Sequence, residues 1–139
     1  MTDAYLALEK TLFEELEQEI IKTLPTSQQT SLNRFYRGSI AFPGSDTPNW
    51  NRSFVLGVPS PNASVLLLHG LTDSPYSLRN IGQQLNDKGA FVLGLRLPGH
   101  GTAPSGLLDV TWEDMAAAVE LAMRYINKEN PGQPVYIIG

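Results

Sequence analysis

The sequence contains no cysteine, only two histidines, and no apolar run approaching the roughly 20 residues that span a bilayer. Without cysteine there is no disulfide framework, no thiolate zinc site and no cysteine nucleophile, and nothing calls for an oxidising compartment. The two histidines, His69 and His100, lie far from the i, i+4 spacing of a helical metal pair and make a poor metal site. Basic residues are also scarce. Ten Lys and Arg against fourteen Asp and Glu leave a net charge of −4, whereas neutralising phosphates takes clustered basic side chains. Nucleic acid is therefore not an expected partner. A P-loop is absent, and the dinucleotide pattern that Gly99 and Gly101 would begin fails at Pro104, so no cofactor is expected. The amino terminus is acidic where a signal peptide is basic and then apolar, which points to a cytoplasmic protein without a transmembrane segment. The sequons at Asn51 and Asn62 have no secretory context and read as chance.

What is present suits one domain. The chain has 139 residues, 42% of them hydrophobic, enough for a packed core. Residues 1–24 hold six acids against two bases, which accounts for the whole net charge. Within them Leu12, Phe13, Leu16, Ile20 and Leu24 recur at helical spacing with acids mostly between them, predicting an amphipathic helix that Pro25 ends. Residues 1–32 are thus expected to form a helix and linker, with the main domain over residues 33–139. Two runs of β-formers, Phe35–Phe42 and Ser53–Val58, flank a turn-rich stretch from Pro43 to Asn49 and predict an antiparallel pair.

The pattern then changes. Val65–Leu68 is a continuous apolar run too short for a helix, as expected of a strand buried on both faces. Ser74 and Pro75 open a helix with Leu78, Ile81 and Leu85 on its apolar face, closed by Gly89. Phe91–Leu97 is the next strand. Thr111 and Asp114 form a capping-box pattern before a long helix with Trp112, Met115, Val119, Ala122, Met123 and Ile126 on one side. Asn130-Pro131-Gly132 stops it, and Val135–Ile138 is a third buried strand. This alternation predicts an α/β fold: parallel strands with helices on both faces, preceded by the antiparallel pair and the amphipathic helix.

Ligands of such sheets bind at the carboxyl ends of the strands. The segments there are His69-Gly70-Leu71-Thr72-Asp73-Ser74-Pro75, Pro98-Gly99-His100-Gly101-Thr102 and whatever follows Gly139. Taken alone, each histidine is best read as a ring bonded to the backbone of its own glycine-rich turn. Asp73 reads as a turn residue, and Glu113 and Asp114 as helix-capping acids.

The run Val65-Leu66-Leu67-Leu68-His69-Gly70-Leu71-Thr72, followed one helix and one strand later by Leu97-Pro98-Gly99-His100-Gly101, resembles the amino-terminal half of an α/β-hydrolase. It is most similar to the carboxylesterase, monoacylglycerol lipase and lysophospholipase group, over about residues 53–139. The resemblance implies an incomplete α/β-hydrolase sheet and cleavage of small-molecule carboxylic esters, lipid-derived or otherwise acyl, by a Ser-His-Asp triad. It implies that Gly139 is the first glycine of G-x-S-x-G, so that the nucleophile and its partners lie beyond residue 139 and no catalytic residue is within the chain. Both histidines precede that serine, so neither is the general base. The implied role left to this chain is an oxyanion-hole donor, the backbone amide of Leu71, with His69, Gly70, Gly99, His100 and Gly101 shaping the site. Glycine at position 70 is expected to let the chain turn while presenting that amide. The competing expectation is a truncated, non-catalytic module that binds an apolar ligand or a partner.

Overall fold

The computed structural model describes residues 3–45 and 48–139. Its centre is a four-stranded sheet made of β1 (Phe54–Leu56), β2 (Ala63–Leu68), β3 (Ala90–Leu95) and β4 (Val135–Ile138), in the order β1-β3-β2-β4. β2 runs parallel to both β3 and β4, and β1 is antiparallel to β3. Three helices accompany it: α1 (Asp3–Leu16), α2 (Arg79–Asp87) and α3 (Trp112–Glu129). The expected α/β architecture is present, a mixed open sheet with helices packed on it.

Strand alternation divides the interior in two. Leu66 of β2 and Phe91, Leu93 and Leu95 of β3 face α3, meeting Ala118, Ala122 and Ile126. Val65 and Leu67, with Ala90 and Val92, face the other way, toward Leu78 and Leu85 of the α2 segment. Leu66, Leu93 and Leu95 are fully buried, and each such side chain contributes about 1.5–3 kcal/mol by leaving water. These two-sided strands hold the loops at their carboxyl ends on a rigid base.

Several sequence expectations need correction. Phe35–Phe42 is not a strand, so the antiparallel pair does not form between it and Ser53–Val58. The segment folds as successive turns closed by Tyr36 N–H to Asn33 O, Ser39 N–H to Tyr36 O and Phe42 N–H to Ser39 O. Asn33 Oδ1 accepts from Phe35 N–H, and Ser39 Oγ accepts from Ala41 N–H while donating to Ser31 O, so side chains claim the backbone groups a ladder would need. β1 pairs with β3 instead, Phe54 opposite Gly94, and its ring occupies the space a side chain there would take. Of the expected connection from Pro43 to Asn49, Asp46 and Thr47 lie outside the described residues.

The helices are also shifted relative to expectation. α1 starts earlier than its apolar spacing suggests and widens into a π-turn over Glu17–Ile21, and its buried residues are Glu9 and Phe13. Ile81 of α2 is exposed, and the buried position is Gly82, one residue on, packed on Phe54 and Leu67. Trp112 is exposed as well. The core stripe of α3 is Ala118, Ala122 and Ile126, and its capping box is formed as expected, with Thr111 Oγ1 accepting from Asp114 N–H and Asp114 Oδ2 accepting from Thr111 N–H. β4 is an edge strand with β2 as its neighbour. Its Tyr136 is 58% exposed and Ile137 54%, where two-sided burial was expected.

Candidate functional site: two loops at the carboxyl edge of the sheet

Gly139 follows β4 beside the carboxyl end of β2, where a carbon added at its Cα would lie 3.5 Å from Leu68 O. The loop that leaves β2 therefore starts next to it. Gly70-Leu71-Thr72-Asp73 is a β-turn closed by Asp73 N–H to Gly70 O, 3.2 Å. Thr72 takes φ +65° and is the one non-glycine residue with positive φ among those described, giving the turn the φ signature of type II. Asp73 acts as the expected turn residue, its Oδ1 accepting from Ser74 N–H at 2.7 Å. Ser74 occupies the expected cap position, but its side chain does not cap the helix. Its hydroxyl donates to Oδ1 of buried Asn51 at 2.7 Å.

One peptide unit in this turn is held with particular care. Leu97 N–H donates to His69 Nε2 at 3.1 Å, so Nε2 carries a lone pair and the proton resides on Nδ1. Nδ1–H then donates to Gly70 O at 3.0 Å. The Gly70 carbonyl thus receives both His69 and Asp73, and the N–H of the same planar peptide, that of Leu71, must point the opposite way. Among the described residues that N–H has no hydrogen-bond acceptor, and the Leu71 side chain is 77% exposed. An unclaimed amide on an immobilised peptide plane is a ready donor to a developing negative charge.

Burial pushes the His69 pKa below its ordinary 6.5. Nearby His100 and Arg96 push the same way, opposed by the Gly70 carbonyl and Asp73. The neutral ring is therefore the folded form, and the unfolded chain takes up the proton first as pH falls. The stability this provides is complete above about pH 6.5 and is lost as pH falls from there toward the folded-state value. In denaturant titrations at about pH 7 and pH 5, His69→Gln should show a smaller drop in unfolding free energy than the parent sequence. An equal drop in both would remove His69 as the source.

The second loop packs against the first, with the His69 and His100 rings 5.0 Å apart. His100 Nδ1 bonds Pro98 O at 2.8 Å, so both histidines order their own turns, as the bland reading of each expected. Gly99 and Gly101 have φ +74° and +75°, and side-chain carbons there would overlap Gly106 O and crowd Asn51 O respectively. The glycine argument fails for Gly70, which has no positive φ and faces open space among the described residues. Gly99→Ala should cost about 2–4 kcal/mol, through left-handed strain and overlap. Gly70→Ala should stay within about 0.5 kcal/mol. Comparing the two denaturation midpoints tests both. Between the loops is a cavity of about 100 Å³ lined by Arg34, Thr72, Asp73, Gly99, His100 and Leu107.

Sequence reasoning missed the groups behind the second loop. Arg96 follows β3 with 2% of its surface exposed, and its Nε donates to Glu9 Oε1 at 2.8 Å. Glu9, 3% exposed, also accepts from Ser53 Oγ at 2.8 Å and from Ser53 N–H. Arg96 Nη1 donates to His100 O at 2.9 Å, Arg96 N–H donates to Ser53 Oγ, and Tyr5 Oη donates to Arg96 O at 2.5 Å. Burial raises the Tyr5 pKa to about 12, with Arg96 pulling it down and Glu9 pushing it up, so the hydroxyl remains a donor. Two signals in the sequence mark this node. An arginine at the end of the otherwise apolar run Phe91–Leu97 needs a buried partner, and extending the α1 stripe back from Phe13 in steps of four reaches Glu9 and Tyr5.

Comparison with known proteins agrees with this geometry. Residues 59–139 match the family described as serine aminopeptidase, S33. The thermostable monoacylglycerol lipase of Bacillus sp. (strain H-257) is 32% identical over 75 residues, 54% of this chain and 29% of that protein. A structure from work on two metagenome-derived lipolytic enzymes superposes with a TM-score of 0.57 at 27% identity, covering 65% of this chain and 36% of the other. The chain thus spans about a third of the length of these relatives. With more than half of its residues matched, and both edge loops inside the match, the chain belongs to the serine aminopeptidase S33 family and has its α/β-hydrolase fold.

Proposed function

We propose that this chain is the amino-terminal part of a serine hydrolase that cleaves carboxylic esters, lipid-derived or other uncharged acyl esters, by covalent acyl transfer. In this reading the chain continues past Gly139 into Xaa-Ser-Xaa-Gly, and the acid and base follow further on. The serine oxygen attacks the ester carbonyl while the base takes its proton, and the tetrahedral intermediate places its negative oxygen against Leu71 N–H. Collapse breaks the ester C–O bond, the alcohol leaves with that proton, and water then attacks the acyl-enzyme by the same route to release the carboxylic acid and the free serine. The observation that carries this is the free Leu71 amide, on a peptide fixed by His69 and Asp73, in the loop that leaves β2 where Leu68 lies beside Gly139. Lipase-type relatives support an ester over a peptide bond as the scissile group. Residues 33–139 form the start of the hydrolase domain and residues 1–32 an added helix and linker. A cytoplasmic location is part of the same proposal. Among the described residues no helix is long and apolar enough to cross a membrane.

The test is to read the gene beyond the codon for Gly139, then treat the full-length protein with a fluorophosphonate and assay p-nitrophenyl acyl esters against aminoacyl anilides. Labelling of one serine two residues after Gly139, with ester turnover exceeding anilide turnover, is expected. No serine at that position, or turnover of anilides alone, overturns the reading.

A further inference from the structure

The amino-terminal helix lies outside the matched residues 59–139, yet it reaches the site through a hydrogen-bonded network centred on the buried Glu9–Arg96 pair. Arg96 is held at three points: its N–H by Ser53 Oγ, its carbonyl by Tyr5 Oη and its guanidinium by Glu9. From this one residue two lines run to the site. Its guanidinium donates to His100 O, fixing the Gly99-His100-Gly101 turn, whose imidazole rests on the His69 ring. Its successor in the chain, Leu97, supplies the N–H that selects the His69 tautomer, and His69 orients the Gly70–Leu71 peptide. A carboxylate and a phenol on α1 thereby define where the Leu71 amide points.

We infer that Tyr5 and Glu9 are positioning residues for the oxyanion donor, so that α1 is a working part of the hydrolase site as well as a packing element. This rests on the ester-hydrolase reading above. The chemistry distinguishes it from plain stabilisation. Leu71 N–H donates to an oxyanion that exists only in the transition state, so misaiming it lowers kcat while leaving KM nearly unchanged. A helix that merely stabilises the fold changes the melting temperature and leaves the turnover of the folded enzyme alone.

The experiment uses the full-length protein and its p-nitrophenyl ester turnover, measured well below each variant's Tm. Glu9→Gln should lower kcat about tenfold or more with KM within about twofold, since small misplacements and lost oxyanion contacts act on the transition state. Phe13→Ala, at a buried position on the same helix whose ring lies under Arg52 and has no hydrogen bond or ring contact to Arg96 among the described residues, should lower Tm and keep kcat. Tyr5→Phe deletes one hydroxyl and serves where Glu9→Gln fails to fold; its kcat should fall about two- to fivefold at unchanged KM. Unchanged kcat in a folded Glu9→Gln or Tyr5→Phe protein, or an equal loss in Phe13→Ala, overturns the inference. If the parent protein itself turns over no ester, the functional reading has failed instead, and the two failures are distinguishable.

Discussion

Leu71→Pro in the full-length protein should lower kcat by about 10²–10³, equivalent to about 2.7–4 kcal/mol of transition-state stabilisation, with the protein still folded. Proline is usually a blunt instrument, but here the backbone favours it. Leu71 is the second residue of a turn with the type II signature, a position where proline is common, and its N–H takes no part in the turn bond between Asp73 and Gly70. The substitution therefore removes one donor and leaves the loop its shape. Leu71→Ala supplies the comparison, because it trims an exposed side chain and keeps the amide, and it should retain far more turnover than the proline variant. Near-equal kcat for the two would show that the amide is not the donor. Circular dichroism and Tm on both variants separate misfolding from lost chemistry.

Glu9→Ala should be the most destabilising change at the amino terminus, about 3–5 kcal/mol, because it leaves the Arg96 guanidinium buried without its counter-charge. The Coulombic attraction of the pair is not itself the quantity lost. Much of it is offset by the desolvation of two ions, and the penalty comes from stranding one of them. Accordingly Glu9→Leu combined with Arg96→Met should recover part of that loss. It cannot recover all of it, since the Ser53 donors and the His100 carbonyl lose their partners. Equilibrium urea unfolding of the single and double variants checks this. A double variant no better than Glu9→Ala would mean that the hydrogen bonds, not the stranded charge, dominate the cost. The exposed pairs, Lys10 with Glu14 on α1 and Arg124 with Glu120 on α3, are expected to matter little by comparison.

The central sheet was legible because its strands are buried on both faces: Val65–Leu68 and Phe91–Leu95 have no polar interruption that would suggest another structure. The loop motifs were legible because His-Gly and Gly-His-Gly sit where such strands end. Phe35–Phe42 misled because β-propensity describes fit to a pleated surface, and here Asn33 and Ser39 satisfied the backbone locally before any ladder could. The role of Gly70 was misassigned for a related reason. The missing β-carbon was expected to let the chain turn at Gly70, but a β-carbon there would meet nothing among the described residues, and the residue that takes left-handed backbone is Thr72, a β-branched side chain that sequence rules place elsewhere. Glu9 was hidden by its charge, since an acid on an amphipathic helix is normally assigned to water. Only the tertiary partner, 87 residues away, explains its burial.

That separation has a kinetic side. The bond between Glu9 and Arg96 closes a loop of most of the chain, so it forms only after β3 has been made and placed, whereas β2, α2 and β3 assemble from neighbours in sequence. α1 is then expected to dock as a late step, onto a sheet already in register. Substitutions at Glu9 should therefore raise the unfolding limb of a chevron plot, at unchanged slope, and leave the refolding limb in place, whereas truncation of Leu66 or Leu93 should slow refolding. On this order of events the fold precedes the Glu9–Arg96 contact, and the last contact to form is the one to which the inference above assigns the positioning of the Leu71 amide.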